Sequence, residues 1–166
     1  AVYTTAEAVR AFLQCIGLKT QFRRLSSMHL MAVRDLSYGH RGLLGFSDAA
    51  IMVDPTPPEL AEIAIASAGT YRQLTGAVPN VALLSFSTKG SAKHPDADKV
   101  IAAMRYVKDR APDLNADGEL QADAALVPSV GQSKAKGSPA AGYANVLIFP
   151  NLDAANIGYK LLEYLG

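Results

Sequence analysis

The stretch Asn80-Val81-Ala82-Leu83-Leu84-Ser85-Phe86, running on into Ser87-Thr88-Lys89-Gly90-Ser91-Ala92-Lys93-His94, decides the fold class. Its first half is almost continuously apolar. A strand with one wet face alternates, so this pattern predicts a strand covered on both faces. Its second half is polar. From about Pro95 to Arg110 a helical period takes over, with Val100, Ile101, Met104 and Val107 on the inward side. Ala144 to Phe149 repeats the apolar strand, and after Pro150 a last helix carries Ile157, Leu161, Leu162 and Leu165. Two strand–loop–helix units with fully apolar strands predict a three-layer αβα domain around a largely parallel sheet.

Working toward the N-terminus, Asp54-Pro55-Thr56-Pro57-Pro58-Glu59 is a helix start. Thr56 caps, Pro57 takes the first helical position where its missing N–H is harmless, and Glu59 completes a capping box. Leu60, Ile63, Ala64, Ser67, Ala68 and Tyr71 then share one face, and the helix ends near Gly76. An earlier helix is capped by Thr4 with Glu7 and continues through Val9, Phe12, Leu13 and Ile16 to Gly17. Between these helices, 25–33, 42–46 and 50–53 read as strands, with a turn at Gly39 to Gly42. Asp113 to Val127 reads as a strand plus a helix. Gly131 to Gly142, rich in Gly, Ser and Lys, reads as a mobile surface loop. Residues 1–166 form one α/β domain without internal repeat or linker.

Composition sets limits on function. The chain has 166 residues, 16 basic and 15 acidic, and a net charge of +1. Nothing there drives it electrostatically toward nucleic acid or a membrane surface. Mean hydropathy is +0.11, and no apolar run approaches the roughly 18 residues of a membrane helix. The single cysteine excludes an internal disulfide and a cysteine-based zinc cage, so a reducing, cytoplasmic setting is expected. The chain begins at Ala1 and stops at Gly166 inside an apolar pattern. Trimmed termini, or a piece of something longer, are expected from that.

The Ser87–His94 loop is the segment most suggestive of chemistry. Ligands of open α/β sheets gather at the carboxyl ends of strands. Hydroxyls, a glycine and two lysines at a helix N-terminus suit an anion such as phosphate. A hydroxyl-rich cap with solvated lysines is the other reading, and the order of a P-loop is absent. Arg10, with Thr4 and Thr5 a turn or so earlier, can grip phosphate bidentately or lie in solvent. The acidic run Asp117, Glu119, Asp123 is expected to cap a helix and pair with lysines. Asn151 and Asn156 follow the second apolar strand, where amides line clefts or cap helices. His29, His40 and His94 show no metal-ligand spacing. Cys15, beside the apolar stripe of the first helix, is expected to be a buried, inert thiol.

At these same segments the chain resembles the phosphate acyltransferase family, the phosphotransacetylases. The resemblance is carried by Thr4-Thr5 through Arg10 to Gly17, Ser26-Ser27 with Leu30-Met31, Phe46-Ser47-Asp48, Leu60 to Ala64, Leu84 to Lys93, Ala111-Pro112-Asp113, Asp117 to Ala125, and Ala144 to Leu152 with Asn156 to Lys160. It spans nearly the whole chain. It implies a fold like that of isocitrate and isopropylmalate dehydrogenases. It also implies reversible transfer of acetyl between acetyl phosphate and coenzyme A, which is a substrate and not a permanently bound cofactor. No protein-held metal is implied, and a homodimer is. Arg10 falls on the family's phosphate-contacting arginine. Ser87, Thr88, Lys89, Gly90 and Ser91 fall in its interdomain cleft, bordered by Asn151 and Asn156.

Departures are informative too. Family chains are longer and have two α/β domains with the active site between them. By the resemblance, this sequence looks like the end of the first domain plus most of the second. It lacks a second phosphate-binding arginine and the C-terminal Asn-Asp-Leu-Ser-Arg-Gly-type motif, after which the proposed catalytic aspartate follows. The resemblance therefore implies only part of an active site, no catalytic base within 1–166, and an isolated chain that does not turn over. Met28-His29 and Ala155 also depart from the family pattern and leave acyl preference open. A phosphate butyryltransferase, or a non-catalytic acyl-CoA-sensing module like those fused to malic enzymes, are the alternatives.

Overall fold

The structure is a computed structural model and describes residues 2–166; Ala1 and the Thr5 side chain lie outside the described residues. Eleven elements follow in chain order: α1 (Thr5–Cys15), β1 (Met28–Ala32), β2 (Leu43–Ser47), α2 (Pro57–Thr75), β3 (Val81–Leu84), α3 (Pro95–Arg110), β4 (Ala116–Leu120), α4 (Ala122–Leu126), α5 (Pro128–Lys134), β5 (Val146–Ile148) and α6 (Leu152–Leu165). The strands form one sheet in the order β1-β2-β5-β3-β4. Only β1 runs antiparallel, against β2; the other three pairings are parallel.

The apolar strands are covered on both faces, and their residues alternate between two cores. Val81 and Leu83 of β3 and Val146 and Ile148 of β5 pack with Leu60, Ile63 and Tyr71 of α2 and Val100, Met104 and Val107 of α3. Ala82, Leu84 and Leu147 point the other way, toward Ala124 and Ala125 of α4, with Tyr159 and Leu162 of α6 partly buried against them. That alternation is the period-two geometry of a strand, with helices on each side.

The helix starts follow their local chemistry. Thr4 N and Oγ1 donate to Glu7 Oε2 at 2.7 and 2.8 Å, and Glu7 N donates back to Thr4 Oγ1 at 3.3 Å. Thr56 and Glu59 make the same closure, with Thr56 N and Oγ1 donating to Glu59 Oε2 at 3.0 and 2.7 Å. Each box satisfies amides that the first turn leaves without helical partners.

Four expectations are corrected. Residues 50–53 are not a strand. Ala50, Ile51 and Met52 donate their amides to the Asp48 carboxylate at 3.0, 3.0 and 3.2 Å, which withholds them from a ladder. Gly131 to Gly142 is a surface loop only in part. Its start is α5, and Ala135, Ala140 and Ala141 are buried. A Cβ on Gly131 would lie 2.7 Å from Gly142 N, so that glycine permits close backbone packing and does not signal flexibility. Cys15 is exposed, because the stripe beside it is open: Phe12 and Ile16 are 64% and 79% exposed. Ile101 is only half-buried; Ala97 and Ala103 fill the inward face of α3 instead.

Candidate functional site

Because β2, β5, β3 and β4 are parallel, their carboxyl ends share one edge of the sheet. Asp48 to Ile51 follow β2, Ser85 to Ser91 follow β3, Gln121 follows β4, and Phe149 to Asn151 follow β5. This is the edge where ligands of such sheets bind.

The Ser87–Ser91 loop is built against β4. Ser87 Oγ donates to Glu119 Oε1 at 2.9 Å and accepts from Ala92 N at 3.1 Å. Gly90 N donates to the same Glu119 oxygen at 2.7 Å. Thr88 Oγ1 accepts from Gln121 N at 2.9 Å, and Ser91 Oγ accepts from Thr88 N at 3.0 Å. Lys89 Nζ pairs with Asp117 and also donates to Gly118 O at 3.3 Å. Ser87 and Thr88 are buried, while Lys89, Gly90 and Ser91 are exposed. The Lys89 charge is thus answered by a carboxylate, and the Ser87 hydroxyl is committed inside the protein. Ser91 and the exposed Lys93 remain on the open side.

The acidic run divides its work. Asp117 and Glu119 are 4% and 3% exposed and hold the loop: Asp117 makes the expected lysine pairing, with Lys89, while the bonds from Ser87 and Gly90 to Glu119 were not foreseen. Asp123 behaves as expected, pairing with Lys134 at 2.8 Å; the Lys134 hydrogen bond holds its carboxyl below the ordinary aspartate value. Buried carboxylates on a strand resemble a polar loop in sequence. The one legible signal was the apolar flank on each side, Ala116 and Leu120.

Arg10 is exposed and lines a cavity of about 380 Å³ with Ala6, Val9, Ala50 and Ile51. It therefore sits over the end of β2. The Ser87–Ser91 loop lies at the end of β3, two strands away across β5, or about 10 Å by strand spacing. The two share an edge, but no hydrogen bond joins them among the described residues. Asn151 caps α6, its Oδ1 accepting from Ala154 N at 2.9 Å. Asn156 is half-buried, with Nδ2 3.4 Å from Tyr159 Oη. Tyr159 in turn stacks on His29 at 4.5 Å between ring centroids.

Sequence reasoning missed the Asp48 node. This carboxylate, 2% exposed, accepts three backbone amides and the Ser27 hydroxyl, fixing the loop under Arg10. The signal was Asp48 placed directly after a strand, an Asx-turn position.

Among the described residues, no three or more His, Cys, Asp or Glu side chains stand together as a metal site. No helix is long and apolar enough to cross a membrane.

Against known proteins, residues 1–166 match the model of one family, phosphate acetyl/butaryl transferase. A phosphate acetyltransferase of Acetivibrio thermocellus is 47% identical over 166 residues, which is 100% of this chain and 50% of that protein. One from Bacillus subtilis is 46% identical, with 100% and 49% covered. Among solved structures, a phosphotransacetylase from Streptococcus pyogenes superposes with a TM-score of 0.91 at 44% identity, over 100% of this chain and 49% of that one. A branched-chain phosphotransacylase from Enterococcus faecalis, at 22% identity and a TM-score of 0.71, shares the fold. The chain spans about half the length of the curated relatives it matches.

Proposed function

The chain belongs to the phosphate acetyl/butaryl transferase family, and on that premise we propose that the protein carrying it transfers acetyl reversibly between acetyl phosphate and coenzyme A. The observation that carries this reading is the end-to-end family match, with 47% identity to a phosphate acetyltransferase along all 166 residues. The position of Arg10 over the end of β2 and of the Ser87–Ser91 loop at the end of β3, both at the carboxyl ends of parallel strands, is consistent with it.

The chemistry is direct acyl transfer. The coenzyme A sulfur attacks the acyl carbonyl carbon, a C–S bond forms, the C–O bond to phosphate breaks, and phosphate leaves. Cationic groups hold the phosphate and stabilise the charge that develops. Arg10 is proposed for that part, over the β2 cavity. The loop of Ser87, Thr88, Lys89, Gly90 and Ser91 is proposed to border the acyl and thiol side, with Asn151 and Asn156 flanking it. The thiol proton goes to a base that we place outside 1–166. Binding both substrates in one cleft makes the encounter effectively unimolecular. Coenzyme A is a substrate here and no cofactor is held permanently.

We also propose that 1–166 is the end of a first domain plus most of a second, in a fold like that of isocitrate and isopropylmalate dehydrogenases. A cytoplasmic homodimer completes the proposal.

The test is kinetic, on the full-length protein. Arg10→Ala should raise KM for acetyl phosphate by about tenfold or more, since charge-assisted bonds of this kind contribute roughly 1.5–3 kcal/mol. Unchanged kinetics for acetyl phosphate would remove Arg10 from the site. A panel of acyl phosphates, butyryl included, sets the acyl preference.

A further inference from the structure

We propose that Glu119 is a positioning residue for this site: resting on the acyl-transfer reading of the Ser87–Ser91 loop, its carboxylate holds that loop in the geometry that meets substrate. It acts through the loop and touches no reacting atom.

Glu119 is 3% exposed, and its Oε1 takes two bonds from opposite ends of one turn, Ser87 Oγ and Gly90 N. Its backbone oxygen takes a third, from Lys89 N at 3.3 Å. The turn so held is one that the chain does not favour unaided. Lys89 sits at φ 50° and Gly90 at φ 81°, two left-handed residues in succession, the first of them not glycine. An external anchor is what makes such a turn persist.

The strand is shaped to present that anchor. Ala82 pairs with Asp117 and Leu84 with Leu120, so β4 carries one more residue than β3 across this span. An extra residue re-aims the side chains beside it. Gly118 is needed at the same place, since a Cβ there would lie 2.8 Å from Leu83 Cβ. Asp117 and Gln121 complete the grip on Lys89 and Thr88.

A residue that served only to fill the core would be apolar. A carboxylate withdrawn from water is retained where charge-assisted bonds compensate its desolvation. Here both bonds on Oε1 go to the loop.

The experiment compares Glu119→Ala and Glu119→Gln with Asp123→Ala as an exposed-carboxylate control, all in the full-length protein at matched folded fraction. Steady-state kinetics with acetyl phosphate and coenzyme A are read alongside backbone amide exchange. We expect E119A to raise KM for at least one substrate by about tenfold, with kcat falling less. E119Q keeps an acceptor oxygen and should recover most of the loss. Amide exchange should quicken at Thr88 to Ser91 in E119A and stay slow in Val81 to Leu84. A KM in E119A within about twofold of the parent overturns the proposal, as does a glutamine variant no better than alanine. Should E119A not fold, Ser87→Ala removes one donor of the pair, and unchanged kinetics there overturn it equally. If the unsubstituted full-length protein transfers no acyl group, the functional reading has failed. Amide exchange then decides Glu119 alone: faster exchange at Thr88 to Ser91 supports its hold on the loop, and unchanged exchange overturns it.

Discussion

Two aspartates show how far burial changes the meaning of one residue type. Asp48 is 2% exposed and accepts four hydrogen bonds, from the Ala50, Ile51 and Met52 amides and the Ser27 hydroxyl. Removing it leaves four donors, on exposed Ala50 and half-buried Ser27, Ile51 and Met52, without their acceptor. Asp48→Ala should lower the unfolding free energy by about 3 kcal/mol, read by urea melts. Asp123 makes one ion pair, with Lys134, and its side chain is 49% exposed. Asp123→Ala should change stability by no more than about 0.5 kcal/mol in the same assay. In sequence only the place of Asp48 directly after a strand separates the two, because a side chain's burial depends on what the rest of the chain brings over it. Cys15 fails for the same reason. Its place beside an apolar stripe predicts burial only if something covers the stripe, and nothing among the described residues does. Spacing left Arg10 open between a phosphate-gripping arginine and a solvated one, and only the resemblance favours the first.

At the scale of elements, local signals were sufficient where the chemistry is local. The capping boxes of α1 and α2, the proline start of α3 and the two-faced strands β3 and β5 lie where the residues put them. The α2 box carries a pH prediction. The Thr56 backbone amide, then its hydroxyl, holds the Glu59 carboxyl below the ordinary 4.5. The unfolded chain therefore takes up this proton at a higher pH than the folded chain. The stabilisation is complete above about pH 4.5 and is lost as pH falls through the depressed folded value. Glu59→Gln should flatten that part of the stability curve, measured by urea unfolding between about pH 3 and pH 6. An unchanged slope would mean that the box does not couple to folding. Elements made by long-range contact were less legible. α5 hid in a glycine-rich run because Gly131 serves a backbone approach to Gly142, 11 positions along the sequence and invisible in its composition. The loop-holding role of Asp117 and Glu119 hid for the same reason, since their partners lie 28 to 32 residues away.

For the whole molecule, the chain's coverage of about half of its relatives bears on its open faces. α1 and its C-cap expose Phe12 and Ile16, and α6 exposes Ile157, Leu161 and Leu165. Under the two-domain proposal these stripes are covered in the full-length protein. The isolated 166 residues should therefore bind a hydrophobic dye more strongly, per mole, than the full-length protein does. Equal binding would count against that architecture. Acyl transfer is read most directly as thioester formation by the full-length protein given acetyl phosphate and coenzyme A. Thioester should accumulate with one phosphate released for each acetyl transferred. Acetyl phosphate left intact, or hydrolysed with no thioester formed, would contradict it.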